Sequence, residues 1–239
     1  MEKAKKIKIS LVLIYGVIIS LLLWAFFSKF SLNDLTSYEF IKNNRNYLTA
    51  IKESNYFLVS ILFLIFTIIW VFLLGFGTPI FLLGGFIFGK WVGTLLVVFG
   101  LSTGATILYI FANYFLKDLI KNKFSSRFSN LNEKFKQNEF SFFLIYRFVG
   151  GIPFFISNIL PTLFNVKIRN FFFGSLIGMT PQLFVGTTLG SGIEKIINKN
   201  EEAPTFLELI ASSEIYIPVL GFIFLVILGF FLKRFFYNN

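Results

Sequence analysis

Arg147 is the one charged residue in the stretch FSFFLIYRFVGGIPFFISNILPTLFNV (Phe140–Val166), and Gly150, Gly151 and Pro153 follow it closely. A cation in an apolar membrane segment costs about 2.5–3.5 kcal/mol on insertion scales. Chains keep such a residue where it faces the protein interior or a wet cavity and has a partner there. The two glycines and the proline break the helix and release backbone N–H groups beside the guanidinium. Released N–H groups next to a buried cation suit an anion, above all a phosphate. The candidate anion site is therefore Arg147, Gly150, Gly151 and Pro153, with Asn158 in the limb beyond the break. Two readings stay open for each polar residue. Arg147 either binds an anion in the interior or snorkels to the headgroups. Asn158 serves either helix–helix bonding or substrate contact.

Other chemistries find little to work with. The chain has no cysteine and no histidine, which removes thiolate chemistry, disulfides, the usual neutral-pH base and the commonest metal ligand. No Asp or Glu occurs between Glu53 and Asp118 or between Glu139 and Glu194, so paired carboxylates are not available within the apolar segments. The expectation is a non-enzymatic protein without metal or cofactor.

The elements that must position Arg147 are membrane helices. Of 239 residues, 56% are hydrophobic, 20% aromatic and only 14% charged, and the mean hydropathy is +0.76. A soluble domain of this size needs more polar surface. The formal net charge of +10 does not point to nucleic acid, because the bases sit at the ends of apolar runs, where membrane topology puts them. The fold class is an all-α polytopic membrane protein.

Uncharged intervals measure the spans, since one crossing takes roughly 20 residues. Lys8–Lys29, Lys90–Lys117, Arg169–Glu194 and Glu214–Lys233 each enclose about one span. The first reads as an uncleaved transmembrane helix rather than a signal peptide. Glu53–Lys90 is too long for one span and short for two. Glu139–Lys167 is divided by Arg147 and the glycines. Both read as re-entrant hairpins, which are tolerated where protein or a water-filled cavity covers them. Their tips are placed at Gly77, Pro79, Gly84 and Gly85 in the first, and at Gly150–Pro153 in the second. The resulting organisation is an N-terminal helix and external linker (1–54), a core (55–192), and an external acidic loop with a C-terminal helix (193–239). Within the core come hairpin one (about 55–90), a span (91–117), a linker (118–138), hairpin two (about 139–167) and a span (170–192). The positive-inside rule puts both termini and the basic linker in the cytoplasm, with Lys90 alone on the less favoured side. Taking residues 56–75 as a full span instead would put the basic linker outside. In the linker, Leu119, Ile120, Phe124, Phe128, Leu131 and Phe135 recur at helical spacing among Lys and Arg, as in an amphipathic helix on an anionic leaflet.

The hairpins correspond at an offset of 74 residues: Gly77 and Pro79 with Gly151 and Pro153, Gly100 and Gly104 with Gly174 and Gly178, and Thr106 with Thr180. With the hairpins on opposite sides this is an inverted repeat, whose site lies where the tips meet. The two GxxxG pairs (Gly100/Gly104 and Gly174/Gly178) are read as helix-packing surfaces.

The runs PIFLLGGFIFGKWVG (Pro79–Gly93), RFVGGIPFFISN (Arg147–Asn158) and FFFGSLIGMTP (Phe171–Pro181) resemble the DedA superfamily, the VTT-domain or SNARE-associated Golgi protein group, in its bacterial Golgi-apparatus-type branch. The resemblance covers roughly residues 70–192. It implies two opposed re-entrant hairpins and movement of phospholipid or polyprenyl phosphate between leaflets, in some members driven by the proton-motive force. It carries the family's arginine to Arg147, its hairpin proline to Pro153 and its asparagine to Asn158. Three departures stand out: Gly150 where the family often has proline, Asn113 where it often has arginine, and no acidic residue between Glu53 and Asp118, whereas proton-coupled members carry acids in or near the first hairpin. The last argues against proton coupling.

The expectation is a cell-membrane protein of scramblase or flippase type, whose partners are anionic phospholipid or polyprenyl phosphate. A homo-oligomer is compatible with the sequence. The competing readings are a secondary transporter of a small solute or ion, and a non-transporting scaffold for envelope assembly.

Overall fold

The computed structural model describes residues 55–118, 138–150, 152–199 and 206–237, with residues 10, 13–17, 20, 21, 24, 28 and 50 nearer the N-terminus. Residues Met1–Ala50 and Ile51–Asn239 form separate compact units. In the first, residues 13–17 are helical, and the Ser20 hydroxyl donates to the Gly16 carbonyl at 2.9 Å. The basic linker, residues 119–137, lies outside the described residues, as does Gly151.

The second unit begins with α1, Tyr56–Phe72. The Asn55 side chain caps it by accepting from the Leu58 N–H at 3.1 Å, which satisfies one of the first-turn donors. An apolar run then carries the helix to a tight turn, where Leu74 adopts φ 64° and the Trp70 indole N–H donates to the Phe76 carbonyl at 2.8 Å. α2, Gly77–Phe115, is two helical limbs joined at Gly89, whose φ of 75° and ψ of 177° are non-helical. Such a conformation is open essentially to glycine alone. The break is a reversal rather than a bend. A β-carbon on Gly93 would stand 2.4 Å from the Gly84 carbonyl oxygen, and one on Gly84 would stand 2.4 Å from Val97. α1 and the first limb of α2 therefore form a helical hairpin. The Tyr56 and Phe88 rings meet across its open end at 5.7 Å.

This corrects the expected tip. The turn is Leu73–Phe76. Gly77 opens the returning limb with Pro79 in its first turn, where a missing N–H costs little. Gly84 and Gly85 lie well inside that limb, buried. They do not break the helix. Their lack of a side chain lets it approach its neighbours: a β-carbon on Gly85 would stand 2.0 Å from the Thr187 carbonyl oxygen.

The second hairpin comprises α3 (Glu139–Val149), α4 (Phe154–Ile159) and a 3-10 turn (Leu160–Leu163). Gly150, at φ 63°, ends α3, and Pro153 is the N-cap of α4. The open end is tied by Glu139, whose Oε1 accepts from the Lys167 backbone N–H at 2.7 Å and from Asn170 Nδ2 at 2.8 Å. α5, Ile168–Lys199, follows with Pro181 inside it. The expected span thus continues beyond residue 192, and Glu194 is on the helix rather than in a loop. α6 (Phe206–Ala211) and α7 (Ser213–Tyr237) complete the unit.

The core holds the hairpins together. Tyr109 stacks on Phe171 with ring centres 4.4 Å apart, Phe143 stacks on Phe171 at 4.9 Å, and the Tyr109 hydroxyl donates to the Val166 carbonyl at 2.6 Å. These contacts join the second limb of α2 to the hairpin-two end and to α5. Outward positions are strongly apolar. Phe57 is 76% exposed, Leu95 72%, Trp91 68% and Phe224 63%, a surface suited to lipid rather than water. Among the described residues, α2 is the element long and apolar enough by length and composition to cross a membrane, and because the chain reverses at Gly89 the crossing falls to its second limb, residues 90–115.

Candidate functional site

The GxxxG pairs seat the hairpins. A β-carbon on Gly100 would stand 2.8 Å from Thr67 Cγ2, and one on Gly174 would stand 2.7 Å from Phe143 Cδ1. Gly104 and Gly178 repeat the relation one turn later, against Ile68 and Val71 of α1 and against Leu144 and Arg147 of α3. Backbones without intervening side chains can pack closely in this way. One consequence is that the Arg147 stem rests directly on α5.

Arg147 is 4% exposed. Its Nε donates to Ser175 Oγ at 2.9 Å, and Nη1 donates to Ser157 Oγ at 2.9 Å. Ser157 in turn donates to the Phe154 carbonyl at 2.7 Å, which fixes its hydroxyl as an acceptor toward the guanidinium. The Arg147 Cζ lies 5.2 Å from the centre of the Phe143 ring and 4.8 Å from that of Phe171, within cation–π range. Its hydrogen-bond partners among the described residues are neutral hydroxyls, not carboxylates. Nη2 is buried and has no hydrogen-bond partner among the described residues. A buried charge held by neutral groups, with one nitrogen unsatisfied, is costly, and an anion is the ligand that would relieve it.

Space for that anion adjoins it. A cavity of about 440 Å³ is lined by Arg147, Gly150 and Ser157 of hairpin two, Gly77 and Thr78 just past the turn of hairpin one, Gln182 and its neighbours on α5, and Phe222 of α7. Its size suits a small-molecule group. Gln182 Nε2 donates to the Phe148 carbonyl and holds the end of α3 against α5.

The expected site residues separate here. Arg147, Gly150 and Gly77 reach the same cavity, whereas Pro153 caps α4 outside its lining. Asn158 is wholly buried and is not among the lining residues. Neither its Oδ1 nor its Nδ2 has a partner among the described residues. Sequence reasoning missed Ser157, Ser175 and Gln182. Their signals were present but slight. Ser157 directly precedes Asn158, Ser175 follows the first glycine of the second GxxxG, and Gln182 follows Pro181 in an uncharged run.

Residues 75–192 match the VTT domain. The chain is 30% identical over 161 residues to the Transmembrane protein 41 homolog of Dictyostelium discoideum, covering 64% of this chain and 47% of that one. It is 28% identical over 156 residues to the Caenorhabditis elegans Transmembrane protein 41 homolog, covering 62% of each. It is also 30% identical over 111 residues to the uncharacterized protein YqeD of Bacillus subtilis, covering 46% of this chain and 53% of that one. The matches thus span less than two thirds of each relative. No solved structure gives a significant match. The chain belongs to the VTT-domain, DedA-type membrane proteins.

Proposed function

We propose that this chain moves phosphate-bearing lipids between the leaflets of the cell membrane, without bond-making chemistry. The headgroup passes through the cavity between the two hairpin turns while the acyl chains stay in lipid. One observation carries the reading: Arg147 is buried, its Nη2 lacks a partner among the described residues, and it lines that cavity. The guanidinium is the side chain best shaped for phosphate oxygens. Ser157 and Ser175 hold it in place, and the hairpin turns let polar backbone sit where a membrane would otherwise exclude it.

In this reading both hairpins are re-entrant. The contact of Tyr56 with Phe88 closes one at its mouth, and Glu139 closes the other. The charge distribution supports opposite orientations for them, with both termini in the cytoplasm. That no Asp or Glu lies between Glu53 and Asp118 favours passive movement over proton coupling.

The test is transbilayer movement of labelled phospholipid in liposomes containing the purified chain, first without and then with a proton gradient. Movement above protein-free vesicles without a gradient is expected. Movement only with a gradient would replace scrambling with coupled transport. No movement in either condition would favour the solute-transporter and scaffold readings.

A further inference from the structure

We infer that the cavity takes a headgroup bearing a single negative charge, a phosphodiester, and discriminates against the dianionic phosphate monoester of a polyprenyl carrier. This rests on the function proposed above and narrows its substrate. The reason is the charge inventory of the walls. Among the described residues, Arg147 is the only charged residue lining the cavity, and Tyr146 is the only other titratable one. The Tyr146 hydroxyl is bonded to the Ser157 carbonyl at 3.1 Å. Thr78, Ser157 and Gln182 supply the neutral polar groups of the lining.

Among the described residues, the elements that touch the guanidinium or share its cavity present neutral atoms there. α5 contributes Ser175, Phe171 and Gln182, and the returning limb of hairpin two contributes Ser157. α2 offers Gly77 and Thr78, and α7 offers Phe222. No second Lys or Arg from these elements reaches the lining.

A phosphodiester has two free oxygens sharing one negative charge, so it forms a neutral pair with one guanidinium. A phosphate monoester near neutral pH carries about −1.5 to −2. Bound beside one cation, it leaves negative charge uncompensated in apolar surroundings, where such charge is heavily penalised. Two of the guanidinium nitrogens are already committed to serines. The single unsatisfied nitrogen, Nη2, has little capacity to offset the second charge. Gln182 reinforces the selection. Its amide stands beside Gly150, 3.5 Å from where a β-carbon there would be, and brings a dipole but no charge.

The test reconstitutes the full chain into neutral-lipid vesicles with equal pH on both sides. The probes are fluorescent phosphatidylglycerol, a monoanionic diester, and a polyprenyl monophosphate. At pH 8 about 1% of the monoester is monoanionic, given a second pKa of about 6. Its movement should then be about 100-fold slower than that of the diester. At pH 5.5, where about three quarters is monoanionic, the gap should close to within a few fold, while the diester rate stays constant.

Equal rates at pH 8, or a gap that does not close at pH 5.5, would overturn the inference and leave lipid movement standing. No movement of either probe at either pH would overturn the proposed function as well. A second arm introduces a second ammonium with Gln182→Lys. In a protein that melts like the parent, this should raise monoester movement at pH 8 about 10-fold relative to the diester. An unchanged ratio would count against the charge-matching account.

Discussion

Val71 and Arg147 hold the same place in the two halves of the core. A β-carbon on Gly104 would stand 2.8 Å from Cβ of Val71, and a β-carbon on Gly178 would stand 2.8 Å from Cβ of Arg147. The neighbouring contacts agree, with the Ile68 carbonyl oxygen against Gly104 and the Leu144 carbonyl oxygen against Gly178. The repeat is thus structurally two-fold but chemically one-sided. A wholly buried valine stands in one half where the other has the cation.

This pairing predicts a separation of stability from function. Gly104→Ala and Gly178→Ala each force a methyl group against a side chain and a carbonyl oxygen, and each should cost about 1–3 kcal/mol of stability, read as a lower melting temperature in detergent. Only Gly178→Ala also displaces the guanidinium. It should therefore reduce lipid movement by more than Gly104→Ala when both are compared below their melting temperatures.

The two serines should act through Arg147. A hydrogen bond to a charged group is worth about 1.5–3 kcal/mol, so Ser157→Ala or Ser175→Ala should weaken binding of a short-chain phosphodiester lipid at least several-fold. Combined with Arg147→Ala, neither should add a further loss, because the partner is already gone. Titration calorimetry on the single and double variants checks this.

The returning limb of hairpin one should tolerate change at its first residue and not in its interior. A β-carbon on Gly77 meets nothing nearer than Leu101 at 4.0 Å, whereas on Gly85 it would stand 2.0 Å from the Thr187 carbonyl oxygen. Gly77→Ala should shift stability by no more than about 1 kcal/mol, and Gly85→Ala should cost more than about 3 kcal/mol. Thermal melts of the two variants separate the outcomes.

At the mouth of hairpin two, Glu139→Gln keeps an oxygen able to accept from Lys167 N–H or Asn170 Nδ2. Glu139→Ala removes it and should be the more destabilising by about 1–3 kcal/mol. Hydrogen exchange at the Lys167 amide should quicken in the alanine variant and change less in the glutamine variant.

Much of this was legible in the sequence, because membrane insertion writes topology in charge spacing and Gly/Pro placement. The broken stretch after Arg147 and the two GxxxG seats follow from that grammar. What failed was the meaning of particular glycines. Gly84 and Gly85 look like breakers, yet their role is close helix approach, and the chain turns on either side of them, at Leu73–Phe76 and at Gly89. The distinction depends on which helix lies opposite, and local sequence does not contain it. The repeat offset likewise is 74 for the GxxxG pairs and 76 for the residues packed on them (Ile68 to Leu144, Val71 to Arg147), because the first half has two more residues in between. A fixed-offset comparison therefore hides the Val71–Arg147 equivalence. Ser157 and Asn158 are adjacent, but helical geometry turns only the serine to the guanidinium, and the amide looked the more chemically suggestive of the two.

The most direct test of the central claim is transbilayer movement of a labelled phosphodiester lipid by the parent chain, Arg147→Lys and Arg147→Ala, reconstituted in equal amounts and shown to be folded. The account predicts the order parent, then lysine, then alanine, with alanine near the protein-free rate, because lysine keeps the charge but loses the planar fork. Full activity in both variants would contradict it and remove Arg147 from the lipid path.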